Sequence, residues 1–135
     1  MREGGEALLK IIVQEDCGNS PRKVILRDFV IAMVEKDSQT ILASVDENMT
    51  YEQIGKTVIQ GSDQFLSNVE AHKEDEVREL ELLTIITHAK TAAVNGKAVN
   101  MDGQEYHFAT IYRFTGNTKT ARIKEITNYL VITLG

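Results

Sequence analysis

Between Gln104 and Phe114 the chain alternates Tyr106, Phe108, Thr110, Tyr112 and Phe114 with Glu105, His107, Ala109, Ile111 and Arg113. On an extended backbone the first set shares one face and the second set the other. An aromatic face of this kind is either core or the wall of an apolar pocket. The phenols of Tyr106 and Tyr112 add chemistry to it, because a buried phenol requires a hydrogen-bond partner and can offer its O–H to a bound molecule. His72, His88 and His107 are too far apart for a local metal motif, and the sequence holds no His-Glu-x-x-His, paired cysteines or acidic calcium loop. No metal site and no cofactor are expected. His88 shares parity with Leu80, Leu82 and Ile86, so it could border a pocket mouth or serve as a turn histidine. His107 and Arg113 fall on the mixed face, which suits a wet sheet surface or a dimer contact. Cys17 follows a helix C-terminal signal rather than an N-terminal one, so nothing lowers its pKa, and no Gly-x-Ser-x-Gly or glycine-rich phosphate loop occurs. Covalent catalysis has no candidate.

The 135 residues carry 42% hydrophobic and 26% charged side chains, enough for one domain over 1–135 and too few for two. A net charge of -5 and the absence of any basic cluster longer than Pro21-Arg22-Lys23 argue against binding to a phosphate backbone, so no nucleic-acid partner is expected. One cysteine forms no internal disulfide, and Lys10 interrupts the apolar run from Leu8 to Val13 that a signal peptide would need. No apolar stretch approaches the roughly 20 residues that cross a bilayer. These features describe a cytoplasmic chain with no membrane partner.

The elements that must position the aromatic face follow from period and punctuation. Leu8, Leu9, Ile12 and Val13 recur at helical spacing before Asp16-Cys17-Gly18-Asn19, which predicts a helical extension within 1–19. Ser20 caps a second helix with Pro21 at its first position, and Leu26, Phe29, Val30 and Met33 make its apolar stripe to about Lys36. Asp37 caps a short helix bearing Ile41, Leu42 and Val45, broken by Asp46-Glu47-Asn48. Period two over Met49–Ile54 and Thr57–Gln60, around Gly55-Lys56, reads as a hairpin. Ser62 then caps a helix with Phe65, Leu66 and Val69 inward, ahead of the acidic Glu74-Asp75-Glu76. Four long strands complete the chain, over Val77–His88, Ala92–Met101, Gln104–Thr115 and Ala121–Leu134, with Asn95-Gly96 as a turn or bulge within the second. The fold class is α+β, with three to four helices packed on a mainly antiparallel sheet. Strands of about ten residues or more generally need bulges and strong curvature to cover helices, so the sheet should curl.

In order and spacing, Phe29–Asp37, Val45–Gly55, Ile59–Phe65 and Ala121–Tyr129 resemble the nuclear transport factor 2-like superfamily, also called SnoaL-like or cystatin-like, which includes ketosteroid isomerase and scytalone dehydratase. The resemblance covers nearly the whole chain after Ser20. It implies a cone-shaped cup between helices and sheet, and a homodimer through the outer sheet faces, for which Ala109, Ile111, Ile126 and Leu130 are the apolar candidates. It also places Glu52 at the position of the catalytic base, Phe29 at that of the oxyanion-holding tyrosine and Thr110 at that of the protonated aspartic acid. Phenylalanine donates no hydrogen bond and a threonine hydroxyl is the weaker donor, so steroid isomerisation is not expected. Glu52 itself sits on a period-two strand where either parity is open. If it faces an apolar cup, desolvation raises its pKa toward the range of general acid or base work. The resemblance thus implies a protein that binds a small apolar molecule against Phe29, Met33, Tyr106, Phe108, Thr110, Tyr112 and His88, with proton transfer by Glu52. The other reading is a non-catalytic dimeric structural or interaction protein whose cup is filled by its own side chains.

Overall fold

A computed structural model describes residues 9–71 and 76–133 of the chain. Leu8, His72, Glu74, Asp75 and Leu134 lie outside the described residues.

The first helix, α1 (Pro21–Glu35), begins where Ser20 accepts the Lys23 N–H through its side-chain oxygen and proline occupies the opening turn. It ends at Lys36, which takes the left-handed conformation at φ 57°, while the Asp37 N–H reaches back to the Ala32 carbonyl. Asp37 then caps α2 (Ser38–Ser44), accepting from both the backbone N–H and the hydroxyl of Thr40, and these bonds hold its carboxyl below the usual range. The third helix, α3, covers Ser62–Ala71. Leu26, Phe29 and Val30 of α1 and Phe65 and Val69 of α3 are buried against the sheet, while Met33 and Leu66 pack against that core half-buried. Complete burial of a side chain such as Leu26 contributes about 1.5–3 kcal/mol.

The N-terminal segment differs from the sequence expectation. Lys10–Val13 is a strand, β1, followed by a short 3₁₀ helix over Glu15–Gly18 that contains the buried Cys17. Four residues, three of them β-branched, are too short a run for periodicity to distinguish helix from strand. The decision is tertiary: β1 pairs parallel to the strand Val77–His88, setting Ile11 beside Leu80 and Val13 beside Leu82.

The remaining strands are β2 (Val45–Gln53), β3 (Thr57–Gln60), β4 (Val77–His88), β5 (Thr91–Asn100), β6 (Glu105–Phe114) and β7 (Ile123–Ile132). The segment at Asp46-Glu47-Asn48, expected only to break a helix, already belongs to β2, whose pairing with β7 shifts register between Val45 and Thr50. The sheet order is β1-β4-β5-β6-β7-β2-β3; β1/β4 and β2/β7 are parallel and the other pairs antiparallel. Asn95-Gly96 makes no turn. Both residues stay in β5, and the irregularity falls on the partner strand, where Leu82 faces Gly96 and Thr84 faces Asn95, leaving Leu83 as the extra residue.

Register sorts the side chains into rows that cross the sheet. On the helix-covered face, Tyr51, Ile126 and Tyr112 form one row, Gln53, Asn128, Thr110 and Val94 a second, and Leu130, Phe108 and Gly96 a third. The opposite face carries Glu52 beside Val58 and Thr127, and the row Ile86, Ala93 and Ile111. Ile126 and Leu130, expected on this opposite face, lie on the helix side; Tyr129 and Val131 take the outward positions, paired with Ala109 and His107.

Candidate functional site

Helices α1 and α3 do not fill the face they cover. A cavity of about 490 Å³ remains between them and β2 through β7, and Phe29, Met33, Tyr106, Phe108, Thr110 and Tyr112 are all on its wall. That volume lies within the range of about 300 to 1,000 Å³ usual for small-molecule sites. Phe29 arrives from α1 and meets Tyr112 edge-on, with ring centroids 6.1 Å apart, so helix and sheet are joined at the cavity floor by an aromatic pair. Tyr51 similarly packs at 5.2 Å on Phe65 of α3.

The polar groups of the wall are hydrogen-bonded to each other. Thr110, directly opposite Asn128 in the β6/β7 register, donates from Oγ1 to Asn128 Oδ1 at 2.8 Å. The Tyr112 hydroxyl lies near Thr110 and the Tyr51 hydroxyl near the Asn128 side chain, and each neighbour offsets part of the rise in the phenol's pKa. A row of four polar groups, Tyr112, Thr110, Asn128 and Tyr51, therefore crosses three strands on the cavity wall. Burial pushes both phenols up, Tyr112 strongly, because the phenolate would lose water that these neighbours only partly replace. Near Tyr106, the Asn100 side-chain amide donates to the phenol oxygen at 3.1 Å. Lys36, Lys56, Gln53, Thr57 and Asn68 complete the polar wall. Among the described residues the wall holds no carboxylate and no imidazole.

Two expected site residues are elsewhere. Glu52 sits between Tyr51 and Gln53, both of which line the cavity, and the strict alternation of β2 turns its side chain to the other face beside Val58, which is 68% exposed. His88 is exposed at the β4/β5 turn, where its backbone carbonyl accepts from the Thr91 hydroxyl, and it does not line the cavity. The parity argument placed it inward, but the extra residue at Leu83 reverses parity for the end of β4. Cys17 is buried and its thiol donates to the Leu82 carbonyl oxygen at 3.8 Å; burial pushes its pKa up, away from nucleophilic use. Among the described residues no three His, Cys, Asp or Glu side chains converge to hold a metal, and no helix is long and apolar enough to cross a membrane.

Sequence reasoning missed Tyr51, Asn128 and the two lysines. Asn128 carried a usable signal, since it is the one amide on the parity of Ile126, Leu130 and Ile132, where a lone polar side chain on an inward row calls for a partner. Lys36 and Lys56 carried none, because both reach the cavity through turn geometry: Lys36 by its left-handed cap, Lys56 by the tight turn at Gly55, φ 80°.

The sequence matches no family model, and no curated protein matches it. Solved structures do match over most of the chain. An NTF-2 like protein of unknown function from Burkholderia xenovorans superposes with a TM-score of 0.72 at 12% identity, covering 85% of this chain and 86% of that one. A SnoaL-like family protein from Agrobacterium tumefaciens gives 0.66 at 18% identity, over 82% and 97% of the two chains. An LEH-like epoxide hydrolase from M. tuberculosis gives 0.67 at 13%, over 80% and 76%. The chain therefore has the NTF2-like fold that the sequence resemblance implied, with three α-helices on a mostly antiparallel sheet. A shared fold does not select among the activities it hosts.

Proposed function

We propose that this chain binds a small, mainly apolar molecule bearing a carbonyl or hydroxyl oxygen in the cavity under α1 and α3. The observation that carries this reading is the polar row Tyr112, Thr110, Asn128 and Tyr51, with the Thr110–Asn128 hydrogen bond at its centre, on the wall of a cavity of about 490 Å³ whose remaining lining is mainly aliphatic and aromatic. The Thr110–Asn128 hydrogen bond holds the centre of this row in place before any ligand arrives, which lowers the ordering cost left for binding. With Asn128 Oδ1 engaged by Thr110, its amide N–H is the group left for the nearby Tyr51 oxygen, and the Tyr51 O–H is the donor offered to a ligand oxygen. The reading is binding rather than carboxylate-driven proton transfer, since Glu52 lies on the opposite face. The cavity's open volume also weighs against a cup filled by its own side chains.

Calorimetry with menthone and decanol, together with native mass spectrometry of the protein as purified, tests this. A ketone or alcohol complex of one ligand per chain is expected, weakened about three- to tenfold by Tyr51→Phe, the cost of one neutral hydrogen bond. Absence of any complex at millimolar ligand would overturn the reading.

A homodimer through the sheet face away from the helices is the partner this reading carries. The apolar side chains available there are Ile86, Ile111, Tyr129 and Val131, exposed by 59, 40, 48 and 62%.

A further inference from the structure

Two lysines border the cavity, and their placement is fixed by backbone geometry. Lys36 ends α1 in the left-handed region, held there by its N–H to the Met33 carbonyl at 3.3 Å, and its ammonium donates to the Val69 carbonyl oxygen of α3 at 3.4 Å. Lys56 follows Gly55 in the β2/β3 turn, closed by the Lys56 N–H to the Gln53 carbonyl at 3.0 Å. Both side chains are on the cavity wall, Lys36 half-buried and Lys56 exposed at the mouth.

On the described wall the charges are unbalanced, although Glu35 and Asp37 flank Lys36 in the chain and Glu70 follows the Val69 carbonyl it bonds. The three ion pairs among the described residues, Arg27–Asp28, His107–Glu105 and Arg113–Glu125, involve neither lysine. The described wall has two ammoniums and no carboxylate, in a chain whose overall charge is -5. A positive mouth on a negative protein is a local arrangement, not a consequence of composition, and it attracts anions while repelling cations at the entrance. A neutral ligand would draw from it a hydrogen bond to its oxygen but no attraction between net charges.

The geometry points to an apolar carboxylic acid as the cavity's ligand, with its carboxylate at the Lys36 and Lys56 ammoniums and its hydrocarbon body against Phe29, Phe108 and Leu130. Two point charges on flexible stems, without a guanidinium fork, suit one singly charged head group. The inference rests on the reading that the cavity binds a small molecule, and it adds the charge class of that molecule.

Calorimetric titration with decanoate and decylammonium below their micelle concentrations and decanol below its solubility limit separates the two claims. The expected order is decanoate tightest and decylammonium weakest, about tenfold or more apart at low salt, as half-exposed ion pairs would give. Added salt should erode the decanoate advantage and leave decanol unchanged. Lys56→Gln, in an exposed turn where it leaves the core untouched, should weaken decanoate about threefold without affecting decanol, and Lys36→Gln should do the same. Equal affinity for the three probes, or a decanoate affinity that neither substitution alters, overturns the charge class while the cavity reading stands. Binding of none of them overturns both.

Discussion

Phe108 lies over Gly96, its directly paired neighbour on β5, so closely that a Cβ at position 96 would fall 2.7 Å from the ring's Cζ. The same Cβ would meet the Glu81 carbonyl oxygen on the other flank. Gly96 is thus the thin point of the sheet that lets an aromatic ring fold flat into the cavity wall. Gly96→Ala should lower stability by about 1–3 kcal/mol, the usual cost of overpacking, measured as a shift of the urea midpoint at constant slope. Combining it with Phe108→Leu should recover part of that loss; no recovery would show that the carbonyl clash alone sets the cost.

Phe29 joins α1 to Tyr112 at the cavity floor and is 1% exposed. Phe29→Ala should cost about 3–5 kcal/mol, because the rigid strands beneath it cannot collapse into the space. A loss under about 1 kcal/mol would mean that the ring borders open space and carries little of the core.

The raised phenols make stability fall in alkali. A folded-state pKa above the unfolded value of about 10 means that, above that pH, the unfolded chain has released a proton the native state still holds. Stability contributed by the protonated phenols of Tyr51 and Tyr112 is therefore whole below about pH 10 and lost progressively as pH rises toward their folded values. Denaturation midpoints across that range should decline in wild type and less steeply in Tyr112→Phe. Identical slopes in the two proteins would remove Tyr112 from this account.

How much of this was visible in the residues follows from how unambiguous each local pattern was. Helix α1 was legible because Ser20, Pro21 and the Leu26–Met33 stripe agree with one another, and β4 runs from Val77 to His88 as its composition predicts. The aromatic face of β6 was legible because Tyr106 to Phe114 puts its large apolar groups on one parity. Read from sequence as Met49–Ile54, this strand has apolar residues on both parities, Met49 and Tyr51 against Ile54; in the structure β2 ends at Gln53 and Ile54 falls in the turn, so the placement of Glu52 was settled by where the strand ends and by its pairing with β7 and β3, which no local pattern contains. The end of β7 has the same ambiguity, Leu130 and Ile132 against Tyr129 and Val131, and its outward row was misassigned for that reason.

The position of Glu52 gives a direct expectation. Since its side chain shares a face with Val58 and Thr127, Glu52→Gln should leave ligand affinity and any turnover unchanged within about twofold, as a surface substitution does. A loss of about 10²- to 10⁴-fold in rate, the signature of a removed general base, would show that the strand reorganises to bring the carboxylate inside.

Self-association is the last expectation, and it turns on which parity of β6 and β7 faces outward. Ile111, Tyr129 and Val131 lie on the face away from the helices, next to Ala109, and the row through Ala93 reaches Ile86 on β4, so the apolar groups form one continuous patch. The patch is flanked by the Arg113–Glu125 pair and by His107 with Glu105, a polar rim around an apolar centre. If two copies pair through it, they should bury about 1,200–2,000 Å² in total, enough for a stable dimer. Sedimentation equilibrium at micromolar concentration should then give twice the chain mass, and Val131→Glu, which places a charge in the patch beside its His107 rim without touching the cavity, should give the single-chain mass with ligand binding retained. A monomeric wild type would show that the patch stays uncovered, and a Val131→Glu protein that remains dimeric would place the interface on another surface.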